Sequence, residues 1–354
     1  MNRSFYLDLA ANGLRMPIAT HLILHENPDV DQVLLDGSAL GEAVIETANR
    51  YHSPLAVPLM DLALEKDALL ALMDIPEADR EKFHLSEVGD ASFAEKVSTA
   101  PFMTPRMKAT CDAVQYVAEH ESAGGFISTG MGIGPFSLLT KLLSDPITPV
   151  FMAGTGLTGE DDDDVALLDH ALDLSVRIIV RYLAEQAKAG AKAIIVCEPA
   201  ANLVYFSPKQ LEEGSDVFER FVLEPNLKIK AVLDELDVDL IFHDCGELTD
   251  EMVSSFNRLD PAVLSLGCSR VLWHDASLVS KQTVLYGNLP SKRFYSDESV
   301  SVQDVEQMTK ELILKMREVG HPFIMGTECD VLSVPGKETT IKSKIAAMMS
   351  CNCG

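Results

Sequence analysis

The sequence predicts an α/β protein, a (β/α)8 TIM barrel with an N-terminal helical extension, and three observations predict it. Eight short apolar runs recur along the chain, helical patterns separate them, and no low-complexity linker or short internal repeat divides the 354 residues. With 47% hydrophobic residues and a mean hydropathy of +0.10, the chain can bury a full-sized core. Residues 1–354 are therefore expected to form one barrel domain, with residues 1–50 as helical cover.

In chain order the runs are "PLAVPLM" (54–60), "GGFIS" (124–128), "PVFMAG" (149–154), "KAIIVCE" (192–198), "VDLIFH" (238–243), "AVLSLG" (262–267), "TVLYGN" (283–288) and "PFIMG" (322–326). Each is short, rich in β-branched or large apolar residues and bounded by Gly, Pro, Asn or Asp, as buried parallel strands are. The insert from Leu62 to Ala123 is expected to be mostly helix. Amphipathic stretches fill Val165 to Gly190, Gln210 to Leu236 and Val302 to Gly320; the first closes at a Gly after Lys188 and the last at a Gly after Arg317, as helix C-termini do. "EDDDD", Glu160 to Asp164, sits where the N-terminal end of a helix dipole favours carboxylates, and it is assigned no chemistry. The uncharged run from Ser122 to Thr140 is long enough to cross a bilayer, but Gly124, Gly125, Gly130, Gly132, Gly134 and Pro135 make it a loop around a strand. Within it "GMGIGP" (130–135) lacks the lysine of a P-loop and the spacing of a dinucleotide fingerprint, so it reads as a tight turn.

A net charge of −25 repels polyanions, which excludes nucleic acid and anionic membrane as partners and disfavours a substrate carrying many carboxylates. The N-terminus, "MNRSFYLDLAANG", lacks a basic region followed by an apolar core and a cleavage site, so a cytoplasmic location is expected. Seven cysteines without a secretory signal argue against a disulfide framework and leave metal binding or plain burial, with the thiols reduced.

"DLIFHDCGE" (239–247) ends an apolar run in two metal-capable side chains, His243 and Cys245. In a barrel the C-terminal ends of strands face the active site, and side chains two apart point the same way. A His-x-Cys pair alone is weak evidence, and a third ligand is needed. "PFIMGTECDVLSVPG" supplies Cys329 just past its strand, 84 positions beyond Cys245 and near it across the mouth. One His and two thiolates leave a fourth position on a tetrahedral zinc ion, the open arrangement of a catalytic site. Such an ion keeps its thiols deprotonated and can polarise an ether oxygen.

"FHDCGE", "GTECDVLSVPG", "VCEPAANLVYFSPKQLEE", "GIGPFSLLTKLL" and "VPLMDLALEKDALL" together resemble the uroporphyrinogen decarboxylase superfamily, specifically its zinc-dependent corrinoid methyltransferase branch. That branch includes methylcobamide:coenzyme M methyltransferases and O-demethylase methyltransferases. The resemblance runs from about residue 50 to the end. It implies a (β/α)8 barrel, Zn2+ on His243, Cys245 and Cys329, and methyl exchange with a separate corrinoid protein that carries cobalamin. Decarboxylases of the superfamily hold porphyrinogen carboxylates on an arginine-rich N-terminal segment; here that stretch reads "GLRMPIATHLILHENPD", with Arg15 its one basic residue. The "GCGI"-like context of coenzyme M enzymes around the distal Cys is replaced by "TECDVLS".

Glu198, at the end of "AIIVC", has two functional readings, fourth zinc ligand or general base, set against an ordinary salt bridge. Asn202 and Tyr205 follow in the same loop as candidate pocket residues. Asp61, with Glu65, is either substrate-binding or part of a helix-start carboxylate pair. Asn288 is either a hydrogen-bond donor to substrate or a turn residue. Cys351 and Cys353 read as incidental, and Cys111, Cys197 and Cys268 as small buried residues. Phe136, Tyr205, Phe206 and Tyr286 lie near strand ends and suit a small methylated, possibly aromatic, substrate. A sulfonate-bearing thiol needs a fixed cation, and beside these motifs the sequence shows only Lys209. The expectation is demethylation of a small methylated substrate onto a corrinoid protein. Its alternatives are a thiol methyltransferase of the coenzyme M type, a metal-free decarboxylase, and a non-catalytic barrel tied by zinc.

Overall fold

A computed structural model describes residues 3–351. Its eight strands, all parallel, are β1 (Arg15–Met16), β2 (Leu55–Ala56), β3 (Ile127–Ile133), β4 (Ala193–Cys197), β5 (Asp239–Asp244), β6 (Val263–Leu266), β7 (Val284–Leu289) and β8 (Phe323–Thr327). They join in the order β1-β8-β7-β6-β5-β4-β3-β2, with helices between successive strands, and curl into a TIM-barrel-like fold.

Period-2 alternation builds the interior. Ile195 on β4, Ile241 and His243 on β5, Val263 and Ser265 on β6, Tyr286 on β7 and Ile324 on β8 share one apolar cavity of about 30 Å³ with Met16, Ile18, Leu55 and Val57. The strands' other faces, such as Ile194, Val196, Leu240, Phe242 and Leu264, pack under the surrounding helices in the larger core. The short β1 and β2 meet through side chains: the Thr20 hydroxyl donates to the Val57 carbonyl at 2.6 Å, and Ser53 Oγ lies 3.4 Å from Met16 Sδ. Tyr6, fully buried in the interior cluster, donates to Asp239 at the start of β5, 2.9 Å away.

Seven of the eight predicted runs overlap a strand, and the eighth is corrected: residues 149–154 belong to the helix Ile147–Gly154. The Asp145 carboxylate accepts from the backbone N–H groups of Ile147 and Thr148 and starts that helix. Val150 and Ala153, three apart, are buried while Phe151 is exposed, a helical rather than an alternating pattern. The missing strand is β1, inside the stretch expected to be helical cover; two residues are too few to show a period, and β1 exists by pairing with Met325 and Gly326. The rest of residues 1–50 does supply four helices.

"GMGIGP" is likewise not a turn: residues 130–133 continue β3. Its glycines allow the helix Asp163–Lys188 to lie close, because a Cβ on Gly130 would meet Gln186 Oε1 at 2.6 Å and one on Gly132 would meet Leu183 at 2.8 Å. That helix begins within the acidic run, at Asp163, so the carboxylates do sit at its N-terminal end, with Asp162 accepting from the N–H groups of Asp164 and Val165. The stretch from Gln210 to Leu236 is broken at Gly214, where φ is +86°, into Pro208–Glu212 and a π-turn leading into Glu224–Glu235. Among the described residues no helix is long and apolar enough to cross a membrane.

Candidate metal centre

His243, the last residue but one of β5, lines the interior cavity, and Cys245 just past the strand converges with it. Cys329 lies two residues past the end of β8. One imidazole nitrogen and the two sulfurs all fall within 4.8 Å of one another, and the sulfurs are 4.0 Å apart. In the β5–β6 register His243 stands directly opposite Ser265, whose hydroxyl lies 2.8 Å from His243 Nδ1. With Nδ1 engaged there, Nε2 is left buried without a hydrogen-bond partner. A buried polar atom of that kind is costly in a finished fold and is what a metal ligand looks like before its ion is added.

The donor set fits zinc. One neutral imidazole with two thiolates suits a borderline-soft tetrahedral ion and leaves one coordination position open. Ser265 supplies the outer hydrogen bond that fixes the ring's tautomer and orientation. The hydrogen bond from Cys329, with smaller contributions from the His243 ring and the Lys292 charge, pulls the Cys245 thiol below its ordinary range against burial, while the same bond and burial push Cys329 up.

Lys292 was not read from the sequence. It lies in "SKR" just after β7, and its Nζ reaches Cys245 Sγ at 3.3 Å. Burial pushes its pKa down, but the charges of Cys245, Cys329 and Glu328 outweigh this and raise it. Lys209, the cation the sequence did offer, lies on an exposed helix 3.8 Å from Glu213. The expectation that no fixed cation stands beside these motifs is therefore corrected. Pattern could not reveal Lys292, because a three-residue 3-10 turn, Ser291–Arg293, carries no periodicity. Ser265 did leave a signal, as the one polar residue inside "AVLSLG".

The other candidate residues lie around this cluster rather than in it. Glu198 is fully buried, and its carboxylate accepts from Phe136 N–H at 3.0 Å, Ser137 N–H at 2.8 Å and Asn226 Nδ2 at 2.9 Å, so it caps the helix Pro135–Leu142. Asn202 is turned into its own loop, donating to the Pro199 carbonyl and accepting from Val204 N–H. Tyr205 stands edge-on to Phe136, which with Phe206 is buried in the outer core. Tyr286 points into the barrel and donates to the Met16 carbonyl at 3.0 Å. Asn288 donates to the carbonyls of Gly267 and Arg270, tying β7 to the loop after β6. Asp61 pairs with Arg106 at 2.5 Å and accepts from Ala63 N–H. Glu65 is buried against β3, where Ile133 N–H donates to one of its oxygens. Cys351 Sγ lies 3.6 Å from the Glu306 carbonyl, outside the cluster; Cys353 lies outside the described residues. Cys268 is exposed, not buried as expected.

Buried acids crowd the cluster. Asp244, between the two β5 ligands, and Asp330, after Cys329, each have one oxygen without a partner; burial pushes Asp330 up to about 7 and Asp244 well above the usual carboxylate range. Gly267 lets the β6 loop press against the ligands, since a Cβ there would meet the Cys245 carbonyl oxygen at 2.6 Å.

Comparison with known proteins bears on this arrangement. The family model described as uroporphyrinogen decarboxylase (URO-D) matches residues 21–349. The methylcobamide:CoM methyltransferases MtbA of Methanosarcina mazei and Methanosarcina acetivorans are each 31% identical over 121 residues, 34% of this chain and 31% of theirs. The match thus spans about a third of the length of these curated relatives. A methyltransferase from Methanosarcina mazei of known structure superposes with a TM-score of 0.69 at 15% identity, covering 98% of both chains, and shows the fold.

Proposed function

The chain belongs to the uroporphyrinogen decarboxylase family, and on that premise we propose that it is a zinc-dependent methyltransferase working with a corrinoid protein. The observation that carries the reading is the convergence of His243, Cys245 and Cys329 on a buried, unpartnered Nε2. A zinc ion held there would supply Lewis acidity to a sulfur or oxygen donor in its open position. The chain's residues do the rest: Ser265 orients the imidazole and Gly267 lets the β6 loop close on Cys245. When a methyl leaves a heteroatom as a cation equivalent, the bonding pair stays on that heteroatom; in the opposite direction a thiolate would supply the new pair and the old one would stay on cobalt, so either way the site must hold a negatively charged sulfur or oxygen.

Two methyl exchanges meet this description. One is demethylation of a small methylated substrate onto the corrinoid protein. The other is transfer from the methylated corrinoid to a thiol, the chemistry in the names of the MtbA relatives; Lys292 sets a cation beside the anion that either exchange needs. Superfamily decarboxylation has less support: Arg15 Nη1 is occupied by the carbonyls of Met348, Met349 and Cys351.

The test has two parts. Metal analysis of protein purified without chelator should give about one zinc per chain, falling to near zero in His243→Ala or Cys329→Ser. The zinc-loaded protein is then incubated with Co(I) cobalamin and a panel of methoxyaromatics, methylamines and methyl thioethers, and separately with methylcobalamin and thiols, following methylcobalamin by absorbance. Methylcobalamin formation supports demethylation, and its thiol-dependent loss supports the thiol reading. No metal in the wild type, or no turnover either way, sinks the proposal.

A further inference from the structure

The coordination set balances without Lys292, which stands beside it as a further positive charge. Zn2+, two thiolates and a neutral imidazole sum to zero. Lys292 places its ammonium group 3.3 Å from Cys245 Sγ. A divalent ion there would offset the charge on the sulfur, so that of the groups around the ammonium only the carboxylates of Glu328 and buried Asp244 would still answer it.

The residue is held there. Its backbone N–H donates to Glu328 Oε1 at 3.4 Å, the other Glu328 oxygen accepts from Cys268 N–H at 3.3 Å, and neighbouring Ser291 donates to the Cys329 carbonyl at 3.1 Å. Glu328 thus uses its carboxylate to join the loops after β6 and β7 to Cys329, and among the described residues no carboxylate forms an ion pair with Lys292. Because a zinc–sulfur bond is about 2.3 Å, an ion on Cys245 lies no more than about 5.6 Å from Lys292 Nζ. A charge so close favours an anion in the open position.

We propose that Lys292 is the charge-balancing residue of the centre, making its open position select the substrate's sulfur or oxygen as the anion. This rests on the metal-centre reading above. A thiol entering the site binds as thiolate, giving its proton to solvent and displacing whatever neutral donor filled the position. Lys292 acts through the charge it sets beside the bound atom, so it is a positioning residue, and it serves a neutral-tailed thiol as well as an anionic one.

Cobalt(II) replaces zinc for the test, because thiolate-to-cobalt absorption reports bound thiolate without turnover. Wild type, Lys292→Met and Lys292→Arg are titrated with 2-mercaptoethanol and with 2-mercaptoethanesulfonate from pH 6 to 9. All three should bind one cobalt per chain. In Lys292→Met the half-formation pH of the added thiolate band should rise by about one unit for both thiols, equivalent to roughly tenfold weaker binding at a fixed pH below it, and Lys292→Arg should restore most of the shift. An unchanged midpoint in Lys292→Met, or loss of cobalt from it, overturns the proposal. Weakening confined to the sulfonate thiol also overturns it, since Lys292 would then grip the tail rather than the sulfur. Wild type that takes up no cobalt sinks the metal centre itself, and the Lys292 proposal with it, by a different signal.

Discussion

The ends of β4 and β5 lie side by side, Cys197 opposite His243, and each carries a buried polar side chain with the opposite outcome. Glu198, one residue past β4, has donors on both oxygens and knits a helix to the sheet. His243 has one nitrogen answered and one left open beside two sulfurs. Burial and position at a strand end are shared, so neither marks chemistry. An unanswered atom alone does not either, since Glu65 Oε2 and His321 Nδ1 are also buried without partners; what sets His243 apart is that two thiols converge on it.

The strongest way to break this comparison is to exchange the consequences. Removal of a ligand, His243→Ala or Cys329→Ser, should cut metal affinity by more than about a hundredfold, beyond what outer-shell changes do, and metal titration monitored by a chromophoric chelator checks it. Glu198→Ala should leave metal content intact but strand three buried donors, costing about 3 kcal/mol or more in denaturant unfolding. A Glu198→Ala protein that folds with wild-type stability yet loses metal would dissolve the distinction.

Ser265→Ala sharpens it. The ligands stay, but the imidazole loses the bond that sets its tautomer, so metal affinity should fall about ten- to a hundredfold with fold stability of the metal-free chain changed by less than about 1.5 kcal/mol. A third case is Glu65, on the helix Leu64–Leu72 and packed against the end of β3, a carboxyl intermediate between the two, with one oxygen bonded to Ile133 N–H and one unpartnered. Burial raises its pKa from 4.5 to about 8, so the folded chain binds that proton more tightly than the unfolded one. Its contribution is fully present below about pH 4.5 and is lost as pH rises toward 8, with a slope of at most ~1.4 kcal/mol per pH unit. Glu65→Gln should flatten the fall in stability between pH 5 and 8, as measured by urea midpoints; an unchanged profile would show that Glu65 ionises freely in the fold.

The same contrast explains what the sequence could disclose. Runs such as "KAIIVCE" and "VDLIFH" are buried on both faces and announce themselves by composition alone. Ile147–Gly154 is just as apolar and was misread, because over six residues a half-buried helix and a buried strand have the same composition. β1 is made by its partner rather than by its own two residues. At the candidate centre, His243 and Cys245 were legible from strand-end spacing, and Cys329 from an apolar run with a thiol past it. Ser265 and Lys292 were not read, since their roles arise from register and from a loop, which local sequence does not encode. Glu198 was singled out for its position, but its hydrogen bonds come from helices 28 to 62 residues away.

Cys245 and Cys329 are 84 residues apart in the chain, and the second follows a strand whose outer neighbour, β1, is two residues long. An ion shared by both sulfurs is therefore a removable cross-link that closes a long loop, restricting the unfolded ensemble much as a disulfide does. The melting temperature then becomes a readout of free metal: at a hundred times the dissociation constant the folded chain gains about 2.7 kcal/mol. Metal starvation would loosen the β8–β1 edge before the central strands, so the amides of Met325 and Ile18, which pair across it, should be early reporters of lost metal in hydrogen exchange.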